Sequence, residues 1–308
     1  MKEGLVIKST GSWYLVKSDD EVAVSCKIKG RFRLDDIKST NPVAVGDRVK
    51  YSYDNKTGIG IIEEILERKN YIVRRASNLS RQTQILAANI DQAILVATIN
   101  YPVTTPVFID RFLATTEAYD IPTTIIFNKA DRYDHYHQDQ LKETIQTYKN
   151  IGYNVLITSA KHDQNIDAVK ELRKNKVSLL AGHSGVGKST LINKVEPSLN
   201  LKTAKISDAH NSGRHTTTFT EMHPLGIGGY IIDTPGIRGF GLFNIKKEEL
   251  AHFFREIFKF SSQCRYHNCT HLHEPGCAVK DAVEKGNIAS TRYNSYVSIF
   301  LNRDEKFR

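Results

Sequence analysis

The chain of 308 residues is long enough for two or three domains, each with its own core. It carries 43 Lys and Arg against 34 Asp and Glu, a net charge of +9, an excess that favours polyanion partners without demanding them. Four cysteines are too few for a disulfide scaffold, and no run approaches the ~20 apolar residues of a membrane span or forms the apolar core of a signal peptide. These features exclude secreted disulfide-rich and membrane classes, so the expectation is a cytoplasmic protein with no membrane partner.

Residues 1–66 read as short strands with turns between them. Leu5–Ile7, Trp13–Val16, Val22–Ile28, Arg48–Tyr51 and Ile59–Ile62 are β-rich, and Gly11-Ser12, Ser18-Asp19-Asp20 and Asn55–Gly58 supply turn chemistry. Strands at this spacing suit a small barrel of the OB type, with another small β-domain as the competing reading. Cys26 alternates within its strand and is expected in the core. Residues 68–84 carry Arg68, Lys69, Arg74, Arg75 and Arg81 with no acidic residue. That run reads either as a solvated linker or as an extension of a nucleic-acid surface beside the barrel.

From about residue 90 to 240 apolar strands alternate with helical stretches. Gln92–Ala97, Thr123–Phe127, Val155–Ile157, Val177–Ala181 and Tyr230–Ile232 are apolar on both faces, which argues for a parallel sheet covered by helices. Asn128-Lys129-Ala130-Asp131 ends the second of these runs and fits the N-K-x-D signature that reads guanine. The Asp131 carboxylate can accept from guanine N1–H and N2–H₂, which adenine lacks; Lys129 would lie along the base, and Asn128 would tie this loop to the phosphate loop. Ser159-Ala160-Lys161 ends the next strand and fits the second base-contacting loop, with the Ala160 N–H expected on guanine O6.

Gly182-His183-Ser184-Gly185-Val186-Gly187-Lys188-Ser189 fits the phosphate-loop pattern G-x-x-x-x-G-K-[ST], and Thr190 follows it. The glycines let the backbone curl around a β-phosphate with its N–H groups inward; Lys188 would reach the β/γ oxygens and Ser189 would hold Mg²⁺. Asp233-Thr234-Pro235-Gly236 follows a later strand as D-x-x-G, with Asp233 expected near Mg²⁺ and the Gly236 N–H at the γ-phosphate. Between the two lies Gly213–Thr218, where a first switch belongs; Thr216 or Thr217 should reach Mg²⁺, and sequence does not choose between them. Every part of a G domain is present, but the base reader precedes the phosphate loop. Such a permutation is cheap where the old termini lie close together.

Two departures inform the chemistry. Many GTPases place a water-orienting Gln just after D-x-x-G, and here that residue is Ile237. The candidate to replace it is His215, a residue able to titrate near neutrality within the switch segment; a solvent-facing switch histidine is the alternative. Gly185 stands where some related GTPases carry an Asn that helps bind K⁺, so no K⁺ site is inferred.

In the last segment Leu250, Phe253, Phe254, Ile257 and Phe258 fall on one face of a helix, and Tyr293, Tyr296, Val297, Phe300 and Leu301 mark a second. Between them Cys264, Cys269, His271 and Cys277 offer three thiolates and an imidazole, enough for a closed tetrahedral Zn²⁺ site. His267 and His273 are nearby and compete as ligands.

These motifs, in this order and with this Cys/His end, resemble the circularly permuted, small-ribosomal-subunit-dependent GTPases of bacteria, the RsgA (YjeQ) family. The resemblance covers nearly the whole chain. It implies an N-terminal OB-fold β-barrel that binds RNA (residues 1–70), a basic linker (71–89), a circularly permuted α/β P-loop GTPase domain (90–243) and a helical zinc-binding domain (244–308). It further implies slow hydrolysis of GTP to GDP and phosphate with Mg²⁺, stimulation by the 30S subunit, contact with its rRNA during late maturation, and one structural Zn²⁺ per chain in a monomer. A GTP-sensing rRNA-binding module whose hydrolysis is incidental is the rival reading. A P-loop ATPase is a weaker one, against which Asp131 argues.

Overall fold

The computed structural model describes residues 1–28, 42–75, 83–200, 220–233 and 245–302. Five strands begin the chain: β1 (Lys2–Ser9), β2 (Tyr14–Ser18), β3 (Ala23–Ile28), β4 (Arg48–Asp54) and β5 (Ile59–Ile65). β1 pairs with β2 and β2 with β3, β3 runs parallel to β5, β5 pairs with β4, and β4 returns to β1. That circuit closes a five-stranded barrel and leaves no free edge. Alternation along the strands sends Val6, Tyr14, Val16, Cys26, Val49, Tyr51 and Ile62 inward. Burial pushes the Cys26 thiol up to about 11, so this cysteine is core, as expected.

The segment expected to be a basic linker contains a hairpin, β6 (Tyr71–Arg75) against β7 (Thr83–Ala88). Ile72, Val73, Ile85 and Ala87 are buried, and the interspersed arginines hide that apolar pattern in the sequence. Arg68, grouped above with a run read either as a solvated linker or as a nucleic-acid surface, is spent internally. Its guanidinium makes two bonds to the buried Asp47 carboxylate (2.6 and 2.7 Å) and a third to the Pro42 carbonyl (2.7 Å).

The central α/β unit contains β8 (Gln92–Ala97), α1 (Pro106–Ala118), β9 (Thr123–Phe127), α2 (His135–Asn150), β10 (Asn154–Ile157), α3 (Ile166–Arg173), β11 (Lys176–Ala181), α4 (Lys188–Val195), β12 (Glu221–Pro224) and β13 (Gly229–Asp233). The sheet order is β10-β9-β8-β11-β13-β12, parallel except for β12. Thr123–Phe127 is buried along its whole length, which requires helices on both faces. The loops leaving the C-terminal ends of β8, β9, β10 and β11 therefore gather at one edge, where ligands bind in open α/β sheets. β12 meets the barrel at Lys8↔Glu221, an ion pair at 3.0 Å.

The C-terminal lobe carries α5 (Arg255–Ser261), α6 (Ala278–Glu284) and α7 (Ser290–Phe300). The first apolar face does not lie on a single helix. Lys247–Phe253 forms a 3-10 turn, Phe254 is extended (φ −111°, ψ 95°), and α5 starts after it. The break leaves Leu250, Phe254 and Ile257 buried but turns Phe258 outward, 54 % exposed. Leu301 falls just past the end of α7.

Candidate nucleotide site and metal centre

β11 runs into the phosphate loop, and α4 begins at Lys188. Gly182 (φ 142°), Gly185 (φ 85°) and Gly187 (φ 95°) all take backbone angles that favour glycine. At Gly187 the requirement is double, because a Cβ there would stand 2.5 Å from Asn128 Nδ2. The Lys188 ammonium folds back over the loop, donating to the carbonyls of Gly182 (2.7 Å) and His183 (2.8 Å). His183 stacks on Phe108 in the first turn of α1, ring centroids 3.7 Å apart. Ser184 lies at the exposed tip, and Ser189 and Thr190 sit in the first turn of α4. This is a helix N-terminus preceded by a glycine-rich turn, an arrangement that attracts phosphate.

The base-reading loop is bolted to the phosphate loop. Asn128, 1 % exposed, donates from Nδ2 to the Val186 carbonyl at 2.9 Å. Its Oδ1 accepts from Thr158 Oγ1 (3.0 Å) and from the Ala160 N–H (3.2 Å). The Ala160 amide, expected on guanine O6, thus has an internal partner. Lys129 is left-handed (φ 63°); burial, with Arg132 adding to it, pulls its ammonium below the usual lysine range. Ser159 Oγ donates to Asp131 Oδ1 at 2.5 Å and fixes that carboxylate. The Ala130 N–H donates to the Thr158 carbonyl at 3.1 Å. Sequence reasoning missed Tyr133, whose hydroxyl donates to the Asn128 carbonyl at 2.6 Å and accepts from the Ile99 N–H at 3.0 Å. No local motif marks it.

Asp233 closes β13 opposite Leu180, one residue from the end of β11. Gly236, His215, Thr216 and Thr217 lie outside the described residues.

The Cys/His group is compact. Cys264 Sγ, Cys269 Sγ, His271 Nδ1 and Cys277 Sγ all lie within 4.8 Å of one another. Cys264 Sγ is 3.6 Å from His271 Nδ1 and 3.9 Å from Cys277 Sγ, and Cys277 Sγ is 3.5 Å from His271 Nδ1. A tetrahedral Zn²⁺ with Zn–S of about 2.3 Å sets ligand atoms about 3.7 Å apart, so the set fits. His267 and His273 are not in the group. The loop is braced by Glu274, which accepts from Thr270 Oγ1 (2.6 Å) and from the backbone N–H groups of Thr270, Leu272 and His273. Burial alone would raise the Glu274 carboxyl, but these bonds outweigh it and hold it at about 2.

Sequence comparison covers almost all of this architecture. The RsgA N-terminal domain model matches residues 3–62 and the RsgA GTPase model matches residues 65–243. The small ribosomal subunit biogenesis GTPases RsgA of Phocaeicola vulgatus and Bacteroides fragilis are each 57 % identical over 307 residues, covering 99 % of this chain and 99 % of their own. The crystal structure of YjeQ from Thermotoga maritima superposes with a TM-score of 0.79 at 36 % identity, covering 100 % of this chain and 99 % of its own. That of YloQ, a circularly permuted GTPase, superposes with a TM-score of 0.73 at 33 % identity, covering 99 % and 96 %. The base reader that precedes its phosphate loop in the chain but is tied to it in space, Asn128 to Val186, is the mark of a permuted G domain, and the chain belongs to the RsgA GTPase family.

Proposed function

We propose that this GTP hydrolase acts in late maturation of the small ribosomal subunit, docking on the particle with GTP bound and leaving after hydrolysis. The observation that carries this reading is full-length identity of 57 % to relatives named for small-subunit biogenesis. The basic balance of the chain, +9 overall, suits an rRNA partner. No helix among the described residues is long and apolar enough to cross a membrane, in keeping with work on a cytoplasmic particle. GTP turnover measured with and without purified small subunits, intact ribosomes and free rRNA tests it. Equal rates in all four conditions would remove the ribosomal role while leaving the hydrolase intact.

In this reading Asp131 reads guanine, Asn128 and Ala160 frame the base loop, and the amides of residues 182–188 with Lys188 hold the phosphates. Ser189, Asp233 and one of Thr216 and Thr217 would hold Mg²⁺, which shields phosphate charge when bound. Cys264, Cys269, His271 and Cys277 would hold a structural Zn²⁺. Asp131→Asn should weaken GTP binding and admit xanthine nucleotides, whose C2 oxygen suits an amide donor. Competition binding checks this, and equal wild-type affinity for ATP and GTP would defeat the guanine assignment.

Catalysis is assigned to His215. With Ile237 unable to orient water, a neutral imidazole in the switch segment is the group on this chain suited to accept a hydrogen bond from the attacking water. His215→Ala should lower particle-stimulated turnover by about 10²-fold while sparing GTP binding and docking. Single-turnover hydrolysis on saturating small subunits is the measurement; an unchanged rate points to a group donated by the particle.

A further inference from the structure

The loop between β8 and α1, residues 98–105, touches both nucleotide loops. Pro102 abuts the phosphate loop, its Cδ 3.5 Å from where a Cβ on Gly185 would stand. The Lys129 ammonium donates to the Tyr101 carbonyl at 2.7 Å. That carbonyl is aimed by a chain of hydrogen bonds starting on α2. Asp134, the N-cap of α2, accepts from the His137 backbone N–H (2.9 Å), and its Oδ1 lies 2.7 Å from His137 Nδ1. A carboxylate only accepts, so Nδ1 carries the proton and Nε2 is left as an acceptor. Asn100 Nδ2 lies 2.8 Å from His137 Nε2, and Asn100 Oδ1 accepts from the Tyr101 N–H at 2.9 Å. Each link fixes the direction of the next.

Tyr101 (φ 59°) and Lys129 (φ 63°) are both left-handed non-glycine residues. Such backbone persists only where its surroundings over-determine it, and this chain of bonds does so. An ammonium has three donors. The bond to Tyr101 leaves two for the oxygens of a nucleotide, on a side chain already ordered. Its Cε lies 3.9 Å from the Cβ position of Gly187, so the stem runs beneath the phosphate loop.

We infer that Asn100 and His137 are positioning residues for guanine-nucleotide binding, holding the Lys129 ammonium beside base and ribose through the Tyr101 carbonyl. The inference rests on reading residues 128–131 as the base-reading loop.

Two substitutions at one position separate a relay from mere packing. In His137→Gln, the Gln Oε1 can stand where Nε2 stood and accept from Asn100. In His137→Asn, the shorter amide replaces only the Nδ1 side. Dissociation constants for fluorescent GDP and GTP analogues are measured on the full chain, with inorganic tripolyphosphate as a base-free competitor and thermal midpoints recorded. His137→Asn and Asn100→Ala should weaken GDP and GTP alike by about tenfold. His137→Gln should stay within about twofold. Tripolyphosphate binding and the turnover number at saturating GTP should not move. Equal losses in the Gln and Asn variants, no loss in His137→Asn, or a parallel fall in tripolyphosphate binding would each overturn the relay. Asp131→Asn in the same assay separates the two levels. If it fails to trade GTP for xanthine nucleotide, the base-loop reading fails and the relay falls with it. If it trades them while His137→Asn binds normally, the relay alone is wrong.

Discussion

Cys277→Ser is expected to unfold the C-terminal lobe while the barrel stays folded. Residues 262–277 form turns and bends, without a helix or strand, so few backbone bonds order them and side chains must supply much of the rest. The anchors that do not need metal include the Arg265 N–H on the Gly276 carbonyl (3.1 Å), Tyr293 OH on the His271 carbonyl (2.7 Å), Tyr296 OH on the Thr270 carbonyl (2.9 Å) and the Glu274 clamp. Structural zinc sites in small peptides supply about 10–16 kcal/mol of apparent folding free energy, comparable to the whole stability of a domain. Cys277 and His271 are each 2 % exposed, so losing one ligand also leaves polar groups stranded in the core. Elemental analysis should find one zinc per chain in the wild type and a large deficit in the variant. Hydrogen exchange should then show α5, α6 and α7 losing protection while β1–β5 keep theirs. Full protection of those helices after exhaustive chelation would show that the lobe folds without metal.

The parts legible in the sequence are those where chemistry forces residue type at fixed spacing. Gly187 must be glycine because Asn128 occupies the space of its side chain, and Lys188 must follow at once to lie over the loop. The barrel strands were legible because alternation is local: Val16 goes in and Lys17 out. What escaped is set by contacts between distant positions. Arg68 and Arg75 look alike in a basic run, yet Arg68 is nearly enclosed against Asp47, 21 residues away. The break at Phe254 is invisible because Leu250, Phe254 and Ile257 satisfy the helical period on either side of it. Asn100 and His137 carry no motif, since a hydrogen-bond relay needs geometry rather than spacing. Arg292 and Asp110, 182 residues apart, are the extreme case.

Arg292→Met is expected to cost about 3–5 kcal/mol of stability, because it strands buried charge. Arg292 is 1 % exposed and joins two units of the protein. Its NH1 donates to Asp110 on α1 (2.7 Å), and its Nε and NH2 donate to Glu256 on α5 (2.6 and 3.1 Å). Tyr148 OH on α2 also donates to Asp110 Oδ1 at 2.8 Å, and the guanidinium lies 4.6 Å above the Phe254 ring. Burial alone would make Arg292 less basic; the two carboxylates reverse that and hold it charged. Methionine fills much of the volume but leaves both carboxylates in an apolar interior. Burial already pushes the Asp110 carboxyl upward against the pull of Arg292, and without the arginine only the hydrogen bonds from Ser295 and Tyr148 oppose it. A raised folded-state carboxyl favours the folded protein at low pH, so the loss should be full at neutral pH and shrink as pH falls through that raised value. A packing defect would be indifferent to pH, which makes urea denaturation at neutral and acidic pH the discriminating experiment. Adding Asp110→Asn and Glu256→Gln to Arg292→Met should recover much of the loss at neutral pH. If it does not, α1 and α7 are held by shape, and the charge triad is incidental to the joint between the GTPase unit and the C-terminal lobe.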